Sequence, residues 1–487
     1  MTPVSTNPGV DRPARRTRRG ASRVGALRQG LTAWLGRPLA SFHLLLAVFG
    51  LLAVIGLVMV LSASAVQDAQ KTTLSTFGKP MLLDALGLLG FYLGLRVPLR
   101  WLRQFSPTLL LIAAGLLALV LTPLGSGANG REHSWFTLGS LSFQPVELAK
   151  VALALWGAHV LVTKRALLSQ YRHLLVPLVP VSLVLFALIM LQPDLGSTVS
   201  LGIVLLALLW YVGAPMRLFA VVLGSAAAAV VVSSIGSGYR NTRLLVFLNP
   251  GADPLGAGQQ PLQALYALAD GGLFGRGLGQ GPSKFNYLSN VQNDFIFALI
   301  GEELGFIGAL VVLGLFGMLA VVGLRIAARN TDPWIRLVAS ALTAWIVGQA
   351  AINIGYVIGL LPVTGITLPL ISAGGTSIVI TMMAFGILAN CARNEPDAVA
   401  ALRSLGPGRV GGLLRLPAPE PYRPPARRKP VRPSTPPRGN VRTGGSRAAA
   451  PSPEERRRVH RSAPPTEYRR RSAWRSGHGR STEGGRR

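Results

Sequence analysis

Several ionisable side chains stand inside or at the edge of long apolar runs, where each is costly unless it is paired, faces a polar interior or does chemistry. Asp294, in NDFIFALIGEELG (residues 293–305), sits where a long polar connection meets an apolar run, with Glu302 and Glu303 two turns further on. A carboxyl at a membrane surface beside an apolar wall has its pKa raised and can accept or donate a proton. The same position also suits a cap for a helix starting at Phe295. Glu147 and Lys150, three apart in QPVELAK (144–150), share one helix face and can form an ion pair. Such a pair either offsets its own burial or presents charge to a ligand. Asp194, in QPDLGS (192–197), lies between two apolar runs where Pro193 and Gly196 interrupt a helix, and reads as a turn and helix cap. Asp84 reads as a solvated or interfacial group near the end of a run.

Other chemistries are poorly supported. Cys391 is the single cysteine, so neither an intrachain disulfide nor a cysteine metal site can form, and the six histidines lack metal-ligand spacing. The stretch GGLFGRGLGQG (271–281) has no preceding strand, and no Walker A lysine motif occurs, which argues against nucleotide binding.

These residues must be positioned by elements that the composition describes. The 487 residues are 50% hydrophobic, with a mean hydropathy of +0.43, yet carry a net charge of +30. The two properties separate along the chain. Residues 1–41 hold eight Arg and one acid, residues 392–487 hold 23 Lys and Arg against seven acids, and together they account for +23 of the +30. Between them, apolar runs of transmembrane length predict an all-α polytopic membrane protein of ten helices. They fall near residues 42–64, 79–98, 106–123, 144–163, 174–191, 196–213, 217–235, 295–323, 334–360 and 377–391. The first is followed by Ser62-Ala63-Ser64-Ala65 but is too long for a signal-peptide core, and reads as an uncleaved anchor.

The basic ends and the positive-inside rule place both termini in the cytoplasm. Ten positive charges then fall in short inner loops (Arg96, Arg100, Arg103, Lys164, Arg165, Arg172, Arg217, Arg325, Arg329 and Arg336), against Lys71, Lys79 and Arg131 outside. Residues 236–294 form an outer connection whose length and apolar segments (244–248 and 262–268) predict an ordered, functional loop with short interfacial helices. The expected organisation is a basic disordered tail (1–41), a membrane domain (42–393) and a basic, Pro- and Arg-rich disordered tail (394–487).

In order, QPVELAK, QPDLGS, the long connection with its glycines, NDFIFALIGEELG and NIGYVIGLLPVTGITLPLISAGGTS (353–377) resemble the SEDS family of shape, elongation, division and sporulation proteins. The resemblance covers about residues 42–393. It implies a peptidoglycan glycosyltransferase that polymerises lipid II at the outer face of the bacterial cytoplasmic membrane. The family's essential Asp lies in the DFIFA motif, which maps to Asp294, and Glu147 and Lys150 match its QPxELxK segment. Residues 367–370 and 401–422 look more like the branch of the family that acts at the division septum, with the elongation branch as the alternative.

On that resemblance, the 4-hydroxyl of one lipid-linked disaccharide attacks the anomeric carbon of another and expels polyprenyl pyrophosphate, with Asp294 as general base. Lys150 with its neighbour Glu147, and Arg131, Arg243 and Lys284 on the outer side, are the expected substrate contacts, with Arg240 a further outer cation. No cofactor is identified; a divalent cation, Mg or Mn, would suit the departing pyrophosphate. The expected partners are a class B penicillin-binding protein, whose transpeptidase crosslinks the new strand, and, for the tails, anionic lipid or an acidic division protein such as FtsZ, without specific nucleic-acid binding. The sequence departs from the family pattern at Ser134 before Trp135, at Leu288-Ser289-Asn290 and at Ala373. A lipid II flippase is the rival function, since broken helices and buried charges also suit a transporter. A scaffold whose tails recruit division proteins is a third, compatible with catalysis.

Overall fold

The computed structural model describes residues 36–67, 73–125, 134–138, 141–167, 174–224, 246–254, 256–284 and 291–422. Arg131, Arg240, Arg243 and residues 288–290 lie outside these, as do the side chain of Lys284, residues 225–235 of the seventh expected span, and the tails before residue 36 and after 422.

The chain is a helical polytopic membrane protein. Leu-, Ala- and Val-rich runs form α1 (Ala40–Gln67), α2 (Thr73–Arg96) and α3 (Leu99–Leu119). A hairpin of β1 (Phe136–Leu138) and β2 (Leu141–Phe143), paired antiparallel with Phe136 opposite Phe143, leads into α4 (Pro145–Thr163). Then come α5 (Leu178–Met190), α6 (Leu195–Val212), α7 (Gln259–Gly271), α8 (Ile296–Arg329), α9 (Pro333–Val357), α10 (Thr376–Arg393), α11 (Pro396–Ser404) and α12 (Gly408–Leu413). Among the described residues seven helices, α1, α3, α4, α6, α8, α9 and α10, are long and apolar enough to cross a membrane. The ten expected spans overlap these and α2, α5 and residues 216–224.

Burial separates centre from periphery. About three quarters of α4, α9 and α10 is buried, against 22% of α3 and 28% of α8, so the first three form the core and the others face lipid. Lipid is as apolar as a leucine, so helices there associate through close backbone approach rather than through the hydrophobic effect. α2 and α10 show this: a Cβ added at Gly386 would stand 2.1 Å from the Phe91 carbonyl oxygen. Asn390 of α10 donates to the carbonyls of Gly94 and Val97, which satisfies the end of α2.

Four expectations change. α8 is not one straight span from 295: it bends at Gly305 (φ 71°, ψ −170°), and residues 296–303 are buried whereas Phe306, Ile307, Leu310 and Val311 are exposed. The expected span at 174–191 is a helix of 13 residues, because Pro177 stands at its N-cap. The membrane-associated unit also continues past 394. α11 and α12 follow α10 directly, and the described residues run on to Tyr422. Arg329 of α8 anchors this extension through Glu395 and Asp397. Asp84 stands half-buried within α2 rather than at a helix end.

Candidate active site

α9 carries the site's framework on one face. Gln349, Asn353 and Tyr356 recur at the four- and three-residue spacing that stacks side chains along a helix, and all three are buried. Gln349 serves one group of partners, and Asn353 and Tyr356 together serve another.

Asn353 and Tyr356 hold Asp294. Asn353 donates from Nδ2 to the Asp294 carbonyl at 2.9 Å, and the Tyr356 hydroxyl lies 2.8 Å from the same oxygen. Both also lie 2.7 Å from the Ile366 carbonyl, and Phe295 packs edge-on against the Tyr356 ring. The Ala373 N–H donates to the Gln292 carbonyl at 2.8 Å. The backbone of Asp294 is therefore clamped between α9 and the connection of residues 358–375, while its carboxyl stands half-buried beside Gly365. A Cβ at that glycine would be 3.8 Å from Oδ2. Asp294 does not occupy the helix cap: Phe295 has that position and α8 begins at Ile296.

Gln349 organises the other pair. Lys150 Nζ donates to Glu147 Oε1 at 2.9 Å, with Oε2 at 2.8 Å off the angle of a hydrogen bond, and to Gln349 Oε1 at 3.1 Å. The ammonium also lies 4.9 Å from the centre of the Trp345 ring, whose indole N–H donates to Gln349 at 2.8 Å. Gln349 in turn donates to the Thr367 carbonyl at 3.0 Å. Lys150 is 1% exposed and Glu147 4%, so the pair is enclosed by protein. Gln349 and Asn353 are one helical turn apart, about 6 Å along the axis. The enclosed pair and the clamped Asp294 are thus adjacent layers on α9, joined through residues 366–367.

The remaining motifs are braces. Asp194 caps α6, accepting from the Ser197 N–H at 2.8 Å, as its position between two runs predicted. Its Oδ2 also accepts from Gln144 Nε2 at 3.2 Å, which ties QPDLGS to QPVELAK. Glu302 accepts from the N–H and hydroxyl of Ser283, and Glu303 from the hydroxyl of Ser62 in α1. Both acids lie on the buried segment before the bend.

The glycine-rich stretch splints that bend. Where the helix breaks at Gly305, the N–H groups of Arg276 and Gly277 bond the carbonyls of Glu302 and Glu303, and the N–H groups of Phe306 and Ile307 bond the carbonyls of Gly272 and Leu273. Backbone groups freed by a broken helix in an apolar setting need such partners. The fit requires glycine, since a Cβ at Gly275 would stand 2.2 Å from the Glu303 carbonyl.

Of the residues expected from sequence, the structure brings Glu147 and Lys150 together and sets Asp294 one layer away. Gln349, Asn353 and Tyr356 were missed. Their polar spacing in an apolar run was the available signal. Among the described residues no group of three or more His, Cys, Asp or Glu could hold a metal ion.

Comparison with known proteins agrees in extent and register. The chain is 50% identical over 424 residues to the probable peptidoglycan glycosyltransferase FtsW of Mycobacterium tuberculosis, covering 86% of this chain and 78% of that protein. It is 41% identical over 355 residues to stage V sporulation protein E of Bacillus subtilis, covering 72% and 96%. A chain of a peptidoglycan synthase complex that coordinates polymerization and crosslinking superposes with a TM-score of 0.59 at 29% identity, covering 74% of this chain and 99% of that one. The rod shape determining protein RodA of Thermus thermophilus superposes with a TM-score of 0.54 at 27% identity, covering 75% and 99%. The family model for cell cycle proteins of the FtsW, RodA and SpoVE type matches residues 42–396, which takes in α1 to α10 and every motif of the site, and the chain belongs to that family.

Proposed function

We propose that this protein is a peptidoglycan glycosyltransferase that polymerises lipid II at the outer face of the cytoplasmic membrane, in septal wall synthesis, with Asp294 as general base. The observation that carries the assignment is the geometry of Asp294: its main chain is clamped by Asn353 and Tyr356 while its carboxyl remains half-buried at the mouth. A fixed carboxylate at such a boundary can take the proton from an attacking 4-hydroxyl as the oxygen bonds the anomeric carbon, and the polyprenyl pyrophosphate departs with its electron pair. General base catalysis of this kind contributes roughly 10²- to 10⁴-fold.

The departing pyrophosphate calls for charge compensation. Lys150 reaches it if the pair with Glu147 opens; Arg131, Arg240, Arg243 and Lys284 supply it from the outer side without breaking an enclosed ion pair. The described residues offer no ligand set for a resident Mg or Mn ion, so no step is assigned to one. The topology that fits is ten spans, both termini cytoplasmic, with the mouth outside, a membrane domain over 42–393 and a basic tail on either side. The structural neighbour from a peptidoglycan synthase complex supports a class B penicillin-binding protein as partner. The tails suit anionic lipid or an acidic division protein such as FtsZ, at roughly 1 kcal/mol per basic residue near an anionic surface.

Reconstitution with lipid II tests the assignment. Wild type should make glycan strands and Asp294→Ala should not; equal polymer from both removes the base. Transfer of lipid II across vesicles with no polymer from either would favour the flippase.

A further inference from the structure

At the end of the bundle opposite Asp294, roughly 36 Å away along α9, the chain folds back on itself. After α12, residues 414–422 run without helix across the ends of α2, α3 and α10. Leu416 is buried, the Arg393 guanidinium donates to the Pro417 carbonyl at 2.9 Å, and Arg100 pairs with Glu420 at 3.0 Å. Pro417, Pro419 and Pro421 keep this strap extended.

The strap crosses a cleft of about 710 Å³ lined by five arginines, Arg96, Arg100, Arg103, Arg393 and Arg403. Two carboxylates face them, Asp332 and Glu420. Asp332 is already engaged, accepting from the Trp334 N–H at 2.8 Å as the cap of α9. Burial pushes its carboxyl above the usual range, opposed by that N–H and by Arg103. Glu420 is loosely held, because the side chains of its pair with Arg100 are 71% and 65% exposed, and pairs so exposed contribute little. The cleft therefore already holds an extended peptide, firmly at Leu416 and Pro417 and loosely at Glu420, and keeps an excess of guanidinium.

We propose that this cleft is a docking site for an extended acidic peptide of a partner protein, and that residues 418–422 are a loosely held internal occupant which the partner displaces. Carboxylates on an extended backbone match the guanidinium fork, and a second or third acid would meet arginines that Glu420 leaves without a carboxylate. That the partner is cytoplasmic rests on the proposed topology; the binding does not.

Fluorescence anisotropy on the full chain in zwitterionic lipid nanodiscs tests it, with a labelled alternating Glu-Pro peptide of about ten residues as probe and its Gln-Pro counterpart as control. The acidic peptide should bind, more weakly as salt rises, and the neutral one should not. Arg100→Gln with Arg403→Gln, both exposed, should weaken binding about five- to tenfold, and Glu420→Gln should tighten it about two- to fivefold by weakening the competitor. Arg427→Gln with Arg428→Gln, in the tail, should weaken binding less than the cleft pair does. Binding untouched by the cleft pair, lost with the tail pair, or unmoved by Glu420→Gln overturns the proposal. So does a cleft pair that lowers only the anionic phospholipid retained by the purified protein. Unchanged lipid II polymerisation in the cleft variants shows that they fold; a wild type that binds the peptide but makes no glycan counts against the proposed function, not against this site.

Discussion

Asp294 and the Glu147–Lys150 pair occupy neighbouring turns of the same α9 face, yet their surroundings are opposite. The pair is closed in, its ammonium shared among a carboxylate, an amide oxygen and an indole ring. Asp294 is restrained through its backbone carbonyl, which leaves the carboxyl at the half-buried mouth. The first carboxylate is enclosed with its counter-ion, whereas the second stands half-buried at a position its main chain fixes. Burial distinguishes the two sites more sharply than residue type does, since both present a carboxylate in an apolar run.

The strongest way to break this contrast is Asp294→Asn. Polymerisation of lipid II should fall by about 10²- to 10⁴-fold in a protein that still folds, because the clamp uses the backbone oxygen, which the substitution keeps. Substantial residual polymerisation would return Asp294 to the framework. Next in size, Lys150→Met should cost about 3–5 kcal/mol by stranding an enclosed Glu147, read as a lowered melting temperature in detergent. Glu147→Gln combined with Lys150→Met should restore most of that stability. If the double variant folds and polymerises within a few-fold of wild type, the pair is framework; if it folds and is inactive, Lys150 belongs with the substrate groups.

Smaller effects sharpen the boundary of the framework. Gly275→Ala should destabilise by roughly 1–3 kcal/mol through the clash with the Glu303 carbonyl, with faster proteolysis of the connection before Asp294 as the readout. Asp194→Ala should cost about 1 kcal/mol as a lost helix cap, and Asp194→Ser should recover most of it. A larger loss of polymerisation than of stability at Asp194 would show that its bond to Gln144 reaches the chemistry.

Much of this was legible in residue order. Run length in hydrocarbon is set by helix rise, so the helices α1, α4, α6, α9 and α10 fall close to the expected spans. Glu147 with Lys150 and the cap at Asp194 follow from spacing along the chain, because their partners are three residues away. The bend at Gly305 was not legible. NDFIFALIGEELG reads as continuous apolar helix, and the backbone bonds that break it come from residues 272–277, some 30 positions earlier. The ordered extension after 394 was hidden for a related reason: its arginines and prolines resemble a solvated tail until Arg329 and Arg393 are seen to hold it.

The amino-acid order settles what each segment is: apolar helices in lipid, basic ends, and an acid at the head of an apolar run, all local consequences of side-chain type and backbone geometry. The grouping of Gln349, Asn353 and Tyr356 with residues 147–150, 294 and 366–367 depends on contacts between segments up to 200 residues apart. Sequence distance carries no information about such contacts. Packing brought them together, and in doing so enclosed one carboxylate and left another at the mouth.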